Sequence, residues 1–179
     1  LEKLGLLARV HPSLKMDGQL EGMFEQARGL APWLVPAIYY ALLTCRFTMK
    51  ESNEFAVRLK TPTVVSRAIM DTALLREWLP ELDKPGLPPS AVCTILDKHY
   101  APSVLAGAIA ERSASRVELL LRYLTEWRAV RTELDGQALL DMGAPPGPGV
   151  GLMLQELRSA KLDGIIKSRE DEIKLVQRW

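Results

Sequence analysis

The sequence is poor in the residues that do chemistry. Among 179 residues there are two cysteines and two histidines. Cys45 and Cys93 stand apart, with no CxxC and no histidine at metal-ligand spacing. That excludes the usual zinc and dithiol motifs and reads as two buried free thiols in a reducing, cytoplasmic compartment. His11 precedes a proline and has no acid near it at helical spacing, while His99 ends a helical pattern beside Tyr100, placed to hydrogen-bond the last carbonyls. A phosphate-cradling GxxxxGK is missing, and so is a strand-borne carboxylate pair of the kind that holds two magnesium ions. No apolar run approaches the roughly 20 residues of a membrane span, and no signal-peptide pattern opens the chain. An excess of one charge is also lacking: 23 Lys and Arg balance 22 Asp and Glu, for a net charge of +1. Nucleic acid, if bound, must be met by a local cluster rather than by bulk charge.

What the sequence has is helical pattern. Hydrophobic content of 47% and charged content of 25% are those of a globular chain with a sizeable core. Leu1, Leu4, Leu6, Leu7 and Val10 form an apolar helical pattern already in progress at the first residue, as expected of a piece of a longer protein. Leu20, Met23, Phe24 and Ala27 follow the i, i+3, i+4, i+7 stripe, closed by Gly29. Pro32 or Pro36 opens the next segment, with Leu34, Ile38, Leu42 and Cys45 on its apolar side. Ser52 is expected to cap a short helix, and Thr61-Pro62 a longer one through Val65, Ala68, Ile69, Thr72 and Leu75. Residues 79–89, with four prolines and a glycine, read as the main linker. Ser90 is expected to cap the next helix and Pro102 to open another. A long helix is expected from about Ser113 to Arg131, with Val117, Leu120, Leu121, Leu124 and Trp127 on one side. The acids Glu170, Asp171 and Glu172 follow Ser168 as a capping box rather than a metal site. No strand-like alternation with hairpin signals appears, so the class is all-α with about ten helices.

Seven of the nine residues from Gly143 to Gly151 are Gly or Pro. That density fixes a backbone path. Gly149, Val150 and Gly151 at a helix start would offer amides to an anion, with Gly147 in the turn before them. Gly143 as a helix terminator and Gly151 as a close packing contact would explain the same residues. Basic residues carry a second pair of readings. Arg112, Arg116, Arg122, Arg128 and Arg131 exceed Glu118 and Glu126 by three on the long helix. They frame its apolar stripe either as a solvated rim or as a shallow surface for a phosphate backbone.

The run Leu134-Asp135-Gly136-Gln137-Ala138-Leu139-Leu140, Gly143, Pro146-Gly147-Pro148, Gly151, Leu154, Leu157, Leu162-Asp163-Gly164 and Arg169-Glu170 resembles the C-terminal tail of bacterial class II tRNA nucleotidyltransferases. That family comprises CCA-adding enzymes, A-adding enzymes and bacterial poly(A) polymerases. Leu87-x-Pro89-Ser90-x-Val92 is similar to a body segment of the family, and Leu4-Gly5-Leu6-Leu7 with His11-Pro12-Ser13-Leu14 to the stretch joining neck to body. Only the last 45 or so residues are specific, and Ala138 stands where the family usually has Asp, so no carboxylate role carries over there.

The resemblance implies the helical body and tail of a head-neck-body-tail protein. The catalytic head, which uses magnesium with ATP and in some members CTP, has no counterpart here. This chain is then expected to have no catalytic, cofactor or metal residues of its own and to hold RNA for a parent that adds nucleotides to 3′ ends. The expected division is 1–84 for a neck and body portion, 85–132 for the rest of the body and 133–179 for the tail. The expected RNA contacts are Gly147, Gly149, Val150, Gly151, Arg158, Lys161, Arg112 and Arg116. The expected partner is tRNA or another RNA 3′ end, with no membrane and with a homo-oligomer left open. A different class stays open beside it: a helical interaction or dimerisation domain using the Leu-rich stretch 104–130.

Overall fold

A computed structural model describes residues 9–30 and 36–179. The opening stripe up to residue 8 and the start of the segment around Pro32 and Leu34 lie outside the described residues. Ten α-helices and no strand occur among the described residues, as the patterning predicts. They are α1 (Gly18–Leu30), α2 (Pro36–Leu43), α3 (Met49–Arg58), α4 (Thr63–Trp78), α5 (Pro89–Leu96), α6 (Ala101–Ala110), α7 (Ala114–Thr125), α8 (Gly136–Asp141), α9 (Pro148–Leu162) and α10 (Arg169–Val176). Two 3₁₀ turns, Leu79–Asp83 and Trp127–Ala129, follow α4 and α7.

The starts of these helices are set by local chemistry. Thr48 caps α3 and Glu51 returns the bond to the Thr48 amide, a complete capping box. Ser52, expected as the cap, lies instead inside the helix and is buried; the Thr-x-x-Glu spacing four residues earlier was the stronger signal. Asp135 caps α8 through the Ala138 amide at 2.9 Å, and Ser168 with Asp171 forms the expected box on α10. Ser90 caps nothing. It is the second residue of α5, and its amide and hydroxyl both donate to the Asp163 carboxylate, at 2.8 and 2.6 Å.

The expected long helix stops early. α7 ends at Thr125, and Trp127–Ala129 continues as a 3₁₀ turn with the Trp127 indole buried. Leu120 and Tyr123 are buried with it, whereas Leu121 is exposed. Positions three and seven residues apart share a face; Leu121 lies a full 100° from Leu120.

Three apolar cores result. The first gathers α1, α2, α3, the first half of α4 and the inner face of α6, including Leu42, Phe47, Phe55, Ile69 and Ile109. A second joins Leu75 of α4 to Val92, Leu96, Val104, Leu120 and Trp127. Leu79 and Leu82, within the segment read as a linker, are buried in this second core. The third holds the tail together around Leu134, Leu139, Leu157, Ile166 and Val176. α4 and α6 belong to two cores at once and approach so closely that a Cβ at Gly107 would come within 2.9 Å of the Leu75 side chain.

Candidate nucleic-acid interface

The Gly/Pro corner is a turn shaped by two glycines. Gly143 ends α8 with φ +97°, its amide donating to Leu140 O at 2.9 Å, which is the terminator role expected of it. Gly147 precedes α9 with φ +143°, a region closed to other residues, and Pro148 begins the helix. Gly149 and Gly151 face open space: a Cβ at either would meet no atom within 4 Å. Gly151 is therefore not the close packing contact that one sequence reading made it. Val150 and Ala144 are the residues of the corner that pack on the third core, the Val150 side chain 3.4 Å from a Cβ built on Gly136 and its amide donating to Gly147 O. As second residue of α9, Gly149 has an amide without an intrahelical acceptor.

The cations expected to assist this corner lie elsewhere. Along the helix rise Arg158 is about 13 Å from Gly149 and Lys161 about 18 Å. Both are also engaged. Arg158 donates to Val130 O at 3.1 Å and to the Asp97 carboxylate at 2.5 Å. Lys161 bridges Glu133 at 3.0 Å and Glu172 at 3.1 Å. Arg116 pairs with Asp83 and Glu111, and Arg112 donates to Gln19 Oε1 at 2.7 Å. The eight residues thus fall into three separate places: the corner, the body–tail junction and the rim of the body.

What the fold does bring together was not legible as a motif. A cleft of about 480 Å³ opens where body meets tail, lined by Arg67, Arg128, Arg131, Arg158, Tyr100 and Tyr123 among others. Arg67 comes from α4 and lies over the Tyr100 ring at 4.7 Å. The break after α7 swings Arg128 and Arg131 to the same cleft, and Arg131 is pinned by bonds to Arg128 O and Val130 O at 2.8 and 2.9 Å. Among the described residues none of these three exposed guanidinium groups has a carboxylate partner. Arg158 is the paired member, its Asp97 also accepting the Tyr123 hydroxyl at 3.0 Å. Burial and that bond to Asp97 together push the Tyr123 phenol well above its ordinary range, so it stays a neutral donor.

Two residues that line the cleft, His99 and Tyr100, are held in place by Asp71. Its carboxylate meets His99 Nδ1 at 3.0 Å and accepts the Tyr100 amide at 2.7 Å, so His99 serves this carboxylate and not the helix carbonyls expected for it. Burial alone would raise the Asp71 carboxyl, but the His99 and Tyr100 bonds outweigh it and hold it low. His11, similarly, stacks on Phe47 with ring centres 4.8 Å apart and reaches Glu54 at 3.8 Å. Cys45 and Cys93 are buried and free, as expected, and burial raises both thiols, Cys93 to about 11. Among the described residues no group of three His, Cys, Asp or Glu could hold a metal ion, and no helix is long and apolar enough to cross a membrane.

No family model matches the chain. Two curated sequences do, over 40 residues at 48% identity: the CCA-adding enzymes of Lactobacillus gasseri and Lactobacillus johnsonii. That segment is 22% of this chain and 10% of either relative. The Thermotoga maritima CCA-adding enzyme complexed with tRNA superimposes over 99% of the chain, with a TM-score of 0.69 at 17% identity. The chain has the fold of part of a CCA-adding enzyme. It spans 45% of the Thermotoga protein, so the likeness to a CCA-adding enzyme is one of a helical region and not of the whole. The resemblance read from the tail motifs is borne out at the level of fold and of the local sequence match.

Proposed function

We propose that this chain is a tRNA-positioning region of an enzyme that adds nucleotides to RNA 3′ ends, and that the cleft at the body–tail junction holds RNA phosphates. The observation that carries the reading is the convergence of Arg67, Arg128 and Arg131 on one polar cleft whose lining carboxylate, Asp97, is taken by Arg158, so that among the described residues none of the three has a carboxylate partner. Three guanidinium groups from two segments far apart in the chain give forks matched to phosphate oxygens. Contacts of this kind would follow a phosphate backbone without reading bases. The likeness to a CCA-adding enzyme seen with tRNA supports the choice of RNA over other polyanions. The chemistry itself, with magnesium and ATP or CTP, belongs in this reading to a head domain, and no residue here is assigned to it.

Titration of tRNA against the chain at several salt concentrations tests the proposal. Wild-type binding should weaken steeply with salt, and Arg67→Gln/Arg128→Gln/Arg131→Gln should lower the slope by about two to three, near 0.9 per lost duplex phosphate contact. An unchanged slope in that variant would remove the cleft from the interface. The alternative of a helical interaction domain predicts no salt-dependent tRNA binding at all. It has also lost much of its surface: between residues 104 and 130 the large apolar side chains turn into the cores, and Leu121 is the one exposed among them.

A further inference from the structure

At the junction between the first two cores lies a pocket that the RNA reading does not use. It has a volume of about 290 Å³ and opens between α1, α4 and the end of α6. Its floor is apolar: Met23, Leu75, Leu79, Gly107 and Ala110. The polar atoms in the floor are already satisfied or neutral. Thr72 donates its hydroxyl to Ala68 O at 2.7 Å, and Cys45 is a buried thiol that burial keeps protonated. Nothing in the floor asks for water or for a hydrogen-bonding ligand.

The rim is different. Arg46, Arg76 and Arg112 stand around the opening. Arg46 is neutralised by Asp17, its NH1 at 2.6 Å from the carboxylate. Arg76 is held by Cys45 O at 3.2 Å, and Arg112 by Gln19 Oε1, which also accepts from Arg46. These bonds orient both groups yet leave their charge uncompensated, since among the described residues neither has a carboxylate partner. Glu111 also lines the pocket. Its oxygens are taken by the Arg112 and Ser113 amides, at 2.7 and 2.9 Å, and by Arg116 at 3.2 Å.

We propose that this pocket binds a small amphipathic anion, a flat apolar body in the floor with one oxyanion head between Arg76 and Arg112. A concave apolar floor with a few convergent polar groups is the ordinary form of a small-molecule site, and its size sits near the lower end of such sites, roughly 300 Å³. Oriented guanidinium groups recognise carboxylate or phosphate. Apolar floor and charged rim thus select one class: compounds the size of a substituted naphthalene with a single anionic group.

Isothermal titration calorimetry with 1-naphthoate, 1-naphthyl phosphate and the neutral 1-naphthalenemethanol tests this on the intact chain. One molecule of an anionic probe should bind per chain, and the alcohol about tenfold or more weaker. Arg76→Gln/Arg112→Gln should erase the difference between naphthoate and the alcohol. Ala110→Phe, which fills the floor, should abolish binding of all three, with thermal melts showing both variants folded. Whichever of the two anions binds more tightly names the head group, carboxylate or phosphate. Equal affinity for naphthoate and the alcohol in the wild type would overturn the proposal, as would binding of naphthoate that survives Ala110→Phe.

Discussion

Glu172 has none of its side chain in solvent, yet it is a carboxylate with four bonds. The Glu133 amide reaches both its oxygens at 3.0 and 3.1 Å, the Leu134 amide donates at 2.8 Å, and the Lys161 ammonium sits at 3.1 Å. It ties α10 and α9 to the strand of chain that enters the tail. Glu172→Ala would leave the Glu133 and Leu134 amides without an acceptor and Lys161 with Glu133 alone, a loss of about 2–3 kcal/mol measurable by denaturant unfolding. From the sequence this residue belonged to an acidic triplet at a helix start; the capping role was legible for Asp171, and nothing local told Glu172 from its neighbours. Asp17 and Glu51 give a second residue-scale expectation. The Arg46 and Leu20 bonds hold the Asp17 carboxyl at about 2, and Ser13 and Thr48 do the same for Glu51. Their folded values lie below the ordinary 3.8 and 4.5. Their stabilisation is therefore complete above that ordinary range and fades as pH falls toward 2. Asp17→Asn with Glu51→Gln should flatten the fall in melting temperature between those limits; an equally steep fall would show that other carboxylates govern it.

At the scale of elements, the two glycines flanking the start of α9 are expected to behave in opposite ways. Gly147 holds φ +143°, so Gly147→Ala should destabilise the tail by about 1 kcal/mol or more. Gly151 is an exposed helical residue with open space where a side chain would go, so Gly151→Ala should stabilise by about 0.5–1 kcal/mol. Chemical unfolding of the two variants checks the pair, and destabilisation by Gly151→Ala would mean that the corner packs more tightly than its geometry shows. The helices themselves were readable because their signals are local: Pro102 near the start of α6, Ser168 with Asp171, the 3.6-residue stripe of α1. The break after Thr125 was not, because burying Trp127 in the second core overrides a sequence that continues to favour helix. Arg128 and Arg131 were visible as charge, but the cleft they share with Arg67 depends on that break and on a contact between segments some sixty residues apart, which no local pattern encodes.

On the scale of the whole molecule, α4 and α6 bind the first two cores into one body, and the tail joins it through Ser90 with Asp163 and Arg158 with Asp97. Asp163→Ala removes two hydrogen bonds at that seam. Amide hydrogen exchange in α9 and α10 should then quicken while exchange in α4 and α6 stays as in the wild type; uniform quickening would show that the tail and body unfold together. The chain given labelled ATP or CTP with magnesium should not extend a tRNA 3′ end, and incorporation above a protein-free control would refute a purely positioning role.

The seam has a consequence for measurement of length. Arg67 is fixed to the first core, Arg128 to the second, and Arg158 to the tail. In the RNA reading proposed above, Arg67 and Arg128 on the body and the Asp97-paired Arg158 on the tail would form a caliper whose jaws are set by how body and tail meet. A rotation of the tail by a few degrees changes the spacing of the charges without changing any one of them. In that reading, substitutions in the seam such as Asp163→Ala would be felt as a change in which backbone geometry the surface accepts.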